Sequence, residues 1–270
     1  MKHALKRPED LVLSVEGGVA RLTINRPQIR NAFDDVLIHD LTALLKDLAG
    51  RAELRCLVLS GEGKAFSAGA DLDWMRRAGA QGEHENFRDA HKLAELMQTL
   101  DTMPVTTIAR VNGAAMGGGV GLTAACDIAI AGADAIFALS EVKLGIIPAA
   151  ISPYVIRSIG VRNARRYFQT GERFDATVAM RLGLVHEVVP DAELDAAVDK
   201  IVAELLTTAP IATRAAKDLI HMIEVDMADS GIDDTLLRDV AQRIAQQRAT
   251  PEAKEGLSAF LEKRKPNWVT

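Results

Sequence analysis

Aromatic residues make up only 4% of the 270 residues, so a core here must close with aliphatic side chains, and a hydrophobic share of 48% is enough for a large one. Cysteine is nearly missing. Cys56 and Cys126 each lie inside an apolar run, the setting of buried reduced thiols rather than of a disulfide framework. There is no basic excess either: 32 Lys and Arg stand against 37 Asp and Glu, a net charge of -5. That balance argues against nucleic acid and anionic membrane surfaces as partners. No apolar run reaches the length of a membrane span, and the opening MKHALKRPEDLVLSV has scattered charges without the apolar centre of a signal peptide. The expectation is a soluble, cytoplasmic protein with no nucleic-acid or membrane partner. His84, His91, Asp71, Asp73 and the pair Arg165-Arg166 form neither a metal-ligand spacing nor a triad, so no metal is expected and they read as caps and solvated faces.

What the chain does have is strand alternating with helix. Leu11 to Val15 and Val19 to Ile24 read as a hairpin across Gly17-Gly18. Phe33, Leu37, Leu41, Leu44, Leu45 and Leu48 recur at helical spacing before Gly50, which predicts a helix over Phe33 to Leu48. A strand over Leu54 to Ser60, a short helix over Asp71 to Met75 and a long amphipathic helix over Glu83 to Leu100 follow. Further on come helical stretches at Val155 to Ile159, Ala164 to Phe168 and Thr177 to Leu182, then a strand over Leu184 to Val189. Beyond Asp191 every segment reads as helix: Ala192 to Leu206, Ile211 to Met227, Thr235 to Gln247 and Pro251 to Lys263. The fold class is therefore α/β with a C-terminal helical region, the boundary falling near residues 190 to 210. No repeat or flexible linker divides the chain.

The densest signal runs from Val105 to Pro148, where an apolar strand feeds Gly117-Gly118-Gly119 and an acidic residue, Glu141, follows among apolar neighbours. Glycines at a helix start bare their N-H groups, and unpaired amides plus the helix dipole attract negative charge. A second turn, AFSAGADL from Ala65 to Leu72, has the same character, with Asp71 placed to cap the helix behind it. Two converging N-H donors would make an oxyanion hole, and small side chains let a substrate reach the backbone. A dinucleotide site competes, because Gly119 to Ala124 fits the form G-x-G-x-x-A with Glu141 about 20 residues on. In that motif the first glycine directly follows its strand, whereas Asn112 to Met116 intervene here, and no Lys-Ser or Lys-Thr pair makes a P-loop. Glycines that only let a helix pack on a strand remain the plain structural reading.

Taken together, FSAGADL at Phe66 to Leu72, NGAAMGGG at Asn112 to Gly119, Cys126-Asp127, and SEVKLGIIP at Ser140 to Pro148 resemble the crotonase family of enoyl-CoA hydratases and isomerases. RPQIRNAF at Arg26 to Phe33, TGERFDA at Thr170 to Ala176, GLV at Gly183 to Val185 and FLEKRK at Phe260 to Lys265 extend the resemblance over nearly the whole chain. The resemblance implies a spiral of ββα units over residues 1-200 that carries the acyl-CoA site, and a helical trimerisation region over 201-270. It also implies a homotrimer or a hexamer built as a dimer of trimers. The substrate would be an acyl-CoA thioester, coenzyme A being part of the substrate, with no separate cofactor. By motif position the backbone N-H groups of Ala70 and Gly118 would bind the thioester oxygen. Arg30, Ala32, Ala68, Asp71 and Leu72 would line the CoA path, and Phe260 and Lys263 would reach the CoA of a neighbouring subunit.

One departure from the family pattern bears on mechanism. Many family hydratases place a glutamate shortly after the glycine cluster, where this chain has Gly121, and glycine cannot move a proton. Glu141 becomes the expected catalytic residue, its setting of Leu139, Val142 and Leu144 tending to raise its pKa. Helix propensity predicts that a glutamate at position 121 is tolerated. A second departure is Pro148-Ala149-Ala150-Ile151-Ser152, where family members often carry glycines after the proline. Gly121 with this segment resembles a bacterial branch acting on glutaconyl-type esters such as methylglutaconyl-CoA or longer isoprenoid relatives, in branched-chain or fatty acid metabolism. The expected reaction is hydration of an enoyl-CoA. A Δ3,Δ2-enoyl-CoA isomerase using one carboxylate and a catalytically silent CoA-ester-binding or scaffold member are the alternatives.

Overall fold

The computed structural model describes residues 5–229 and 231–269. Strands β1 (Leu11–Glu16) and β2 (Val19–Ile24) pair antiparallel, and Gly17 and Gly18 turn between them at φ 55° and 80°. Two consecutive left-handed residues suit the twist of a tight hairpin, and glycine takes that conformation without a steric penalty. Helix α1 (Asp35–Ala49) starts two residues later than its apolar spacing predicts, because the Asp34 carboxylate caps it by accepting from Leu37 N at 2.8 Å. Its stripe of Leu37, Ile38, Leu41, Leu45 and Leu48 is fully buried. Each such side chain stabilises the fold by about 1.5–3 kcal/mol.

Three stacked turns follow, each a longer strand, a three-residue strand and a helical segment. They are β3 (Cys56–Gly61), β4 (Ala65–Ser67), α2 (Leu72–Gly79) and α3 (Glu83–Asp101), then β5 (Thr106–Val111), β6 (Ala114–Met116) and α4 (Gly118–Ala125). The third comprises β7 (Ile128–Gly132), β8 (Ile136–Ala138), a 3-10 turn at Glu141–Leu144 and α5 (Ser152–Thr170). Next come β9 (Arg173–Asp175), α6 (Ala176–Leu182), β10 (Glu187–Val189), α7 (Leu194–Thr207), α8 (Pro210–Asp229), α9 (Asp234–Ala249) and α10 (Pro251–Leu261). The longer strands form a six-stranded sheet, β1-β2-β3-β5-β7-β10, parallel beyond the hairpin; the short ones form a second sheet, β4-β6-β8-β9. Asn112 ties successive turns together, its Nδ2 donating to the carbonyls of Gly61 at 2.8 Å and Gly63 at 2.9 Å.

Side chains alternate across β3: Leu57 and Leu59 enter the main core, while Cys56 and Val58 face a smaller apolar layer closed by Leu194, Val198 and Val202 of α7. One expectation needs correction. The strand expected over Leu184 to Val189 is only Glu187–Val189, because Leu184 N donates to Ala179 O to finish α6 while Leu184 and Val185 sink into the core. The two helical stretches expected around residues 155 and 164 are two helical segments of α5, broken at Gly160, which sits at φ 75°, ψ 155°. No helix among the described residues is long and apolar enough to cross a membrane.

Candidate active site

The site gathers where the short parallel strands β4, β6 and β8 end. After β4 the chain passes Ala68 and Gly69 and makes one bridge with Phe33: Phe33 N donates to Gly69 O and Asp71 N donates to Phe33 O, both at 2.7 Å. In an extended segment alternate residues bond to opposite sides, so the N-H of Ala70 points away from Phe33. The other side is the turn after β6. Gly69, at φ 86°, lies so near it that a Cβ there would stand 2.9 Å from Met116 O. Asp71 then caps α2, accepting from Asp73 N at 2.9 Å and Trp74 N at 3.0 Å.

The second donor comes from the start of α4. Gly117, at φ 50°, ψ -113°, spends its own N-H on Ala138 O at 2.9 Å. Gly118 is the first helical residue, and a first-turn N-H has no acceptor within its helix. Both positions require glycine. A Cβ on Gly118 would lie 2.5 Å from the buried ring of Phe33, and one on Gly117 would lie 3.0 Å from Glu141 Oε1.

That contact places the Glu141 carboxylate directly over the glycine turn. Glu141 opens the 3-10 turn after β8, and its Oε2 is buried without a hydrogen-bond partner. Burial holds its pKa above the ordinary carboxylate value, with its own backbone amide acting the other way. The source of that burial differs in part from the expectation. Leu139 is fully buried, but Leu144 is 59% exposed, so the glycine turn and not Leu144 shields the acid. A buried carboxyl with a free oxygen beside a helix-start amide has the means to exchange a proton next to a developing oxyanion.

On the outward side of the same strand ends lies a cavity of about 310 Å³. Arg30, Ala68, Met116, Ser140, Lys143 and Arg173 are among its lining residues, so Arg30 and Ala68 meet in one cavity with two more cations. Arg30 sits at φ 55°, and its carbonyl accepts from Ala68 N at 2.8 Å. Ala32 does not join them: it is buried, and its carbonyl accepts from the Arg26 guanidinium at 2.8 Å. Leu72 is 73% exposed on the outer face of α2. Phe260 and Lys263 are exposed at the end of α10, which packs on α8 and α9, so neither meets the Glu141 turn within this chain.

Gly121 calls for a correction. Helix propensity allows a larger residue there, yet a Cβ at 121 would stand 2.3 Å from Ile151 Cγ2 and 3.2 Å from Met97 Cε. Ile151 was invisible as a site residue in the sequence, being one aliphatic residue in a run that breaks the family pattern. Trp74 was also missed: its Nε1 is buried without a partner, on the helix that Asp71 caps. Among the described residues no group of His, Cys, Asp and Glu is placed to hold a metal ion.

Known proteins resemble this chain over nearly its whole length. A family model described as enoyl-CoA hydratase/isomerase matches residues 14–270. The crystal structure of an enoyl-CoA hydratase from Shewanella pealeana superposes with a TM-score of 0.92 at 43% identity, covering 98% of this chain and 97% of that one. The 2,3-dehydroadipyl-CoA hydratase of Escherichia coli is 33% identical over 96% of this chain and 98% of its own length. The short-chain-enoyl-CoA hydratase of Clostridium acetobutylicum is 30% identical over 95% and 96%.

Proposed function

Because the chain belongs to the crotonase family of enoyl-CoA hydratases and isomerases, we propose that it hydrates the α,β double bond of an acyl-CoA thioester with Glu141 as its proton-transfer residue. The observation that carries this reading is the unpartnered Glu141 Oε2 beside a glycine turn whose next amide, Gly118 N-H, opens a helix. The thioester oxygen accepts from the N-H groups of Ala70 and Gly118. As water oxygen bonds to the β-carbon, the double-bond electrons shift to the bond between the α-carbon and the carbonyl carbon, and the carbonyl electrons move onto the thioester oxygen, giving an enolate. Glu141 takes the proton that water loses and delivers a proton to the α-carbon, so it ends ionised as it began and the sum is addition of one water. The cationic cavity at Arg30, Lys143 and Arg173 suits the phosphates of the CoA moiety.

Within this reading the acyl group is of the glutaconyl type, methylglutaconyl-CoA or a relative. Gly121 leaves water without a second protein carboxylate, and the Escherichia coli relative carries the name of a dicarboxylic acyl substrate. A substrate carboxylate would then orient the water. The same absence favours one second reading, a Δ3,Δ2-isomerase in which Glu141 moves a proton between two carbons. Purified protein incubated with crotonyl-CoA, 3-methylglutaconyl-CoA and a 3-enoyl-CoA, with products read by mass, separates these. A water adduct is expected; a shifted double bond at unchanged mass replaces hydratase by isomerase, and tight binding without turnover leaves a silent binding module.

The assembly belongs to the same proposal. Residues 1-200 form the catalytic core and 201-270 the oligomerisation region of a cytoplasmic homotrimer or hexamer. Phe260, Leu261 and Leu257, between 58% and 80% exposed at the chain's helical end, supply apolar surface for contact between copies. Sedimentation should give a mass that is a multiple of three of 29.1 kDa. A monomer or a dimer would refute that assembly.

A further inference from the structure

Phe33 is fully buried, yet it lies before α1, between Ala32 and the capping residue Asp34. Its main chain brackets one of the two proposed donors. Phe33 N donates to Gly69 O and Asp71 N donates to Phe33 O, both at 2.7 Å, so Ala70 is held by the bonds of its two neighbours. Its ring reaches the other donor: Cε2 and Cδ2 stand 2.5 and 2.7 Å from where a Cβ of Gly118 would be, and the ring edge rests against the bare Cα there. One residue thus touches both donor segments. Those segments also meet directly one position further on, where a Cβ on Gly119 would lie 2.7 Å from Ser67 O. Phe33 is itself pinned in the chain, because the buried Arg26 guanidinium donates to Ala32 O at 2.8 Å and to Asp34 Oδ2 at 3.1 Å, on either side of it.

We propose that Phe33 is a positioning residue for the oxyanion hole: joined to the Ala70 segment by its main chain and to the start of α4 by its ring, it sets the separation of the Ala70 and Gly118 N-H groups. The inference rests on the acyl-CoA reading above. Two donors serve one oxygen only when both lie about 2.7–3.1 Å from it, and a displacement of about 1 Å costs on the order of 100-fold in rate. A buried ring in close contact holds that tolerance, since close-packed interiors transmit displacement instead of absorbing it. Without the ring the two segments keep their contact at Ser67 and Gly119, so the start of α4 tilts about that point while the fold stands. Tilting moves one N-H against the other. It leaves Arg30 and Ala68 joined by their own hydrogen bond on the CoA side.

The test reads the thioester carbonyl itself. Butyryl-CoA and glutaryl-CoA, saturated so that neither is hydrated, are labelled with carbon-13 at the carbonyl, and the infrared stretch is recorded free and bound. Hydrogen bonds to the oxygen polarise the C=O bond and lower its stretch, so wild type should shift the bound ester downward. Phe33→Ala deletes the ring and keeps the main-chain bridge. In it the stretch should return toward the free value and kcat on the ester that wild type hydrates should fall by up to about 100-fold, while affinity for the saturated ester changes far less. Phe33→Leu should lie between the two, and it carries the test if Phe33→Ala does not fold. Leu45→Ala, a buried position of α1 in the same core, controls for lost packing: it should melt lower yet keep the wild-type stretch and kcat. A folded Phe33 variant with the full wild-type shift, or a Leu45→Ala protein that loses the shift equally, overturns the positioning role and leaves the acyl-CoA reading in place. If wild type binds neither ester, or binds without lowering the stretch, the acyl-CoA reading itself falls.

Discussion

At Glu141 the burial that the proposed mechanism needs works against stability. Its pKa is raised in the folded protein by burial, so the native state binds its proton more tightly than the unfolded chain, where the value is about 4.3. The sign follows from linkage: whatever stability the neutral carboxyl contributes is complete below the unfolded value and is lost as pH rises through the folded one. Glu141→Gln keeps the shape and cannot ionise. The variant should therefore melt at or above the wild-type temperature near neutral pH, and the difference should vanish at a pH below the unfolded value. Its turnover should fall about 100- to 10,000-fold while CoA-ester binding persists. Near-normal turnover in the folded variant would remove Glu141 from the chemistry; a variant that melts lower at neutral pH would contradict the buried, unpartnered carboxylate. Glu141 stood out in the sequence as the acidic residue that follows the glycines in an apolar run, and its match to a family motif position made it the expected catalytic residue. Ile151 and Trp74 were not legible, since what matters about each is a contact or an empty partner position that no local pattern encodes.

Among elements, those with enough residues to show a period were read well. The hairpin needed only its two glycines, and α1 only its stripe of leucines, with Asp34 moving the start by a capping bond that periodicity does not report. The second sheet was largely missed, because β6, β8 and β9 have three residues each and take their definition from stacking on one another. Asn112 shows how that stacking is held. Its amide bridges two carbonyls of the preceding β3 to β4 turn, and Gly113 beside it comes so close that a Cβ would meet Lys64 O at 2.2 Å. Asn112→Ala should cost about 1 to 3 kcal/mol and lower Tm by several degrees. Because that turn leads into the Ala68 to Asp71 segment, KM for the CoA ester should rise as well. An unchanged Tm by calorimetry would mean that the turns stack without the amide.

The whole molecule is fastened across its two layers by long-range polar contacts. Lys217 of α8 pairs with Asp127 at 2.7 Å, the Asp127 carboxylate also accepts from Thr107 N, and the Arg55 guanidinium donates to Thr208 O at 2.5 Å. The division of the apolar interior into two layers was not legible in the sequence, since the unbroken apolar run of β3 does not tell its two faces apart and α7, which covers the smaller layer, returns from far along the chain. The two thiols fall one on each side of that division: Cys126 in the main core, Cys56 beneath α7. Burial pushes the Cys56 thiol up to about 11 and raises that of Cys126 further above its ordinary value. An alkylating reagent attacks the thiolate, so the native protein should stay unlabelled at neutral pH. The pair thus forms a built-in clock for opening. Pulsed iodoacetamide in graded urea, read by peptide mass, should mark Cys56 at lower denaturant than Cys126 if the α7 layer lifts first, and both at one midpoint if the molecule opens all at once.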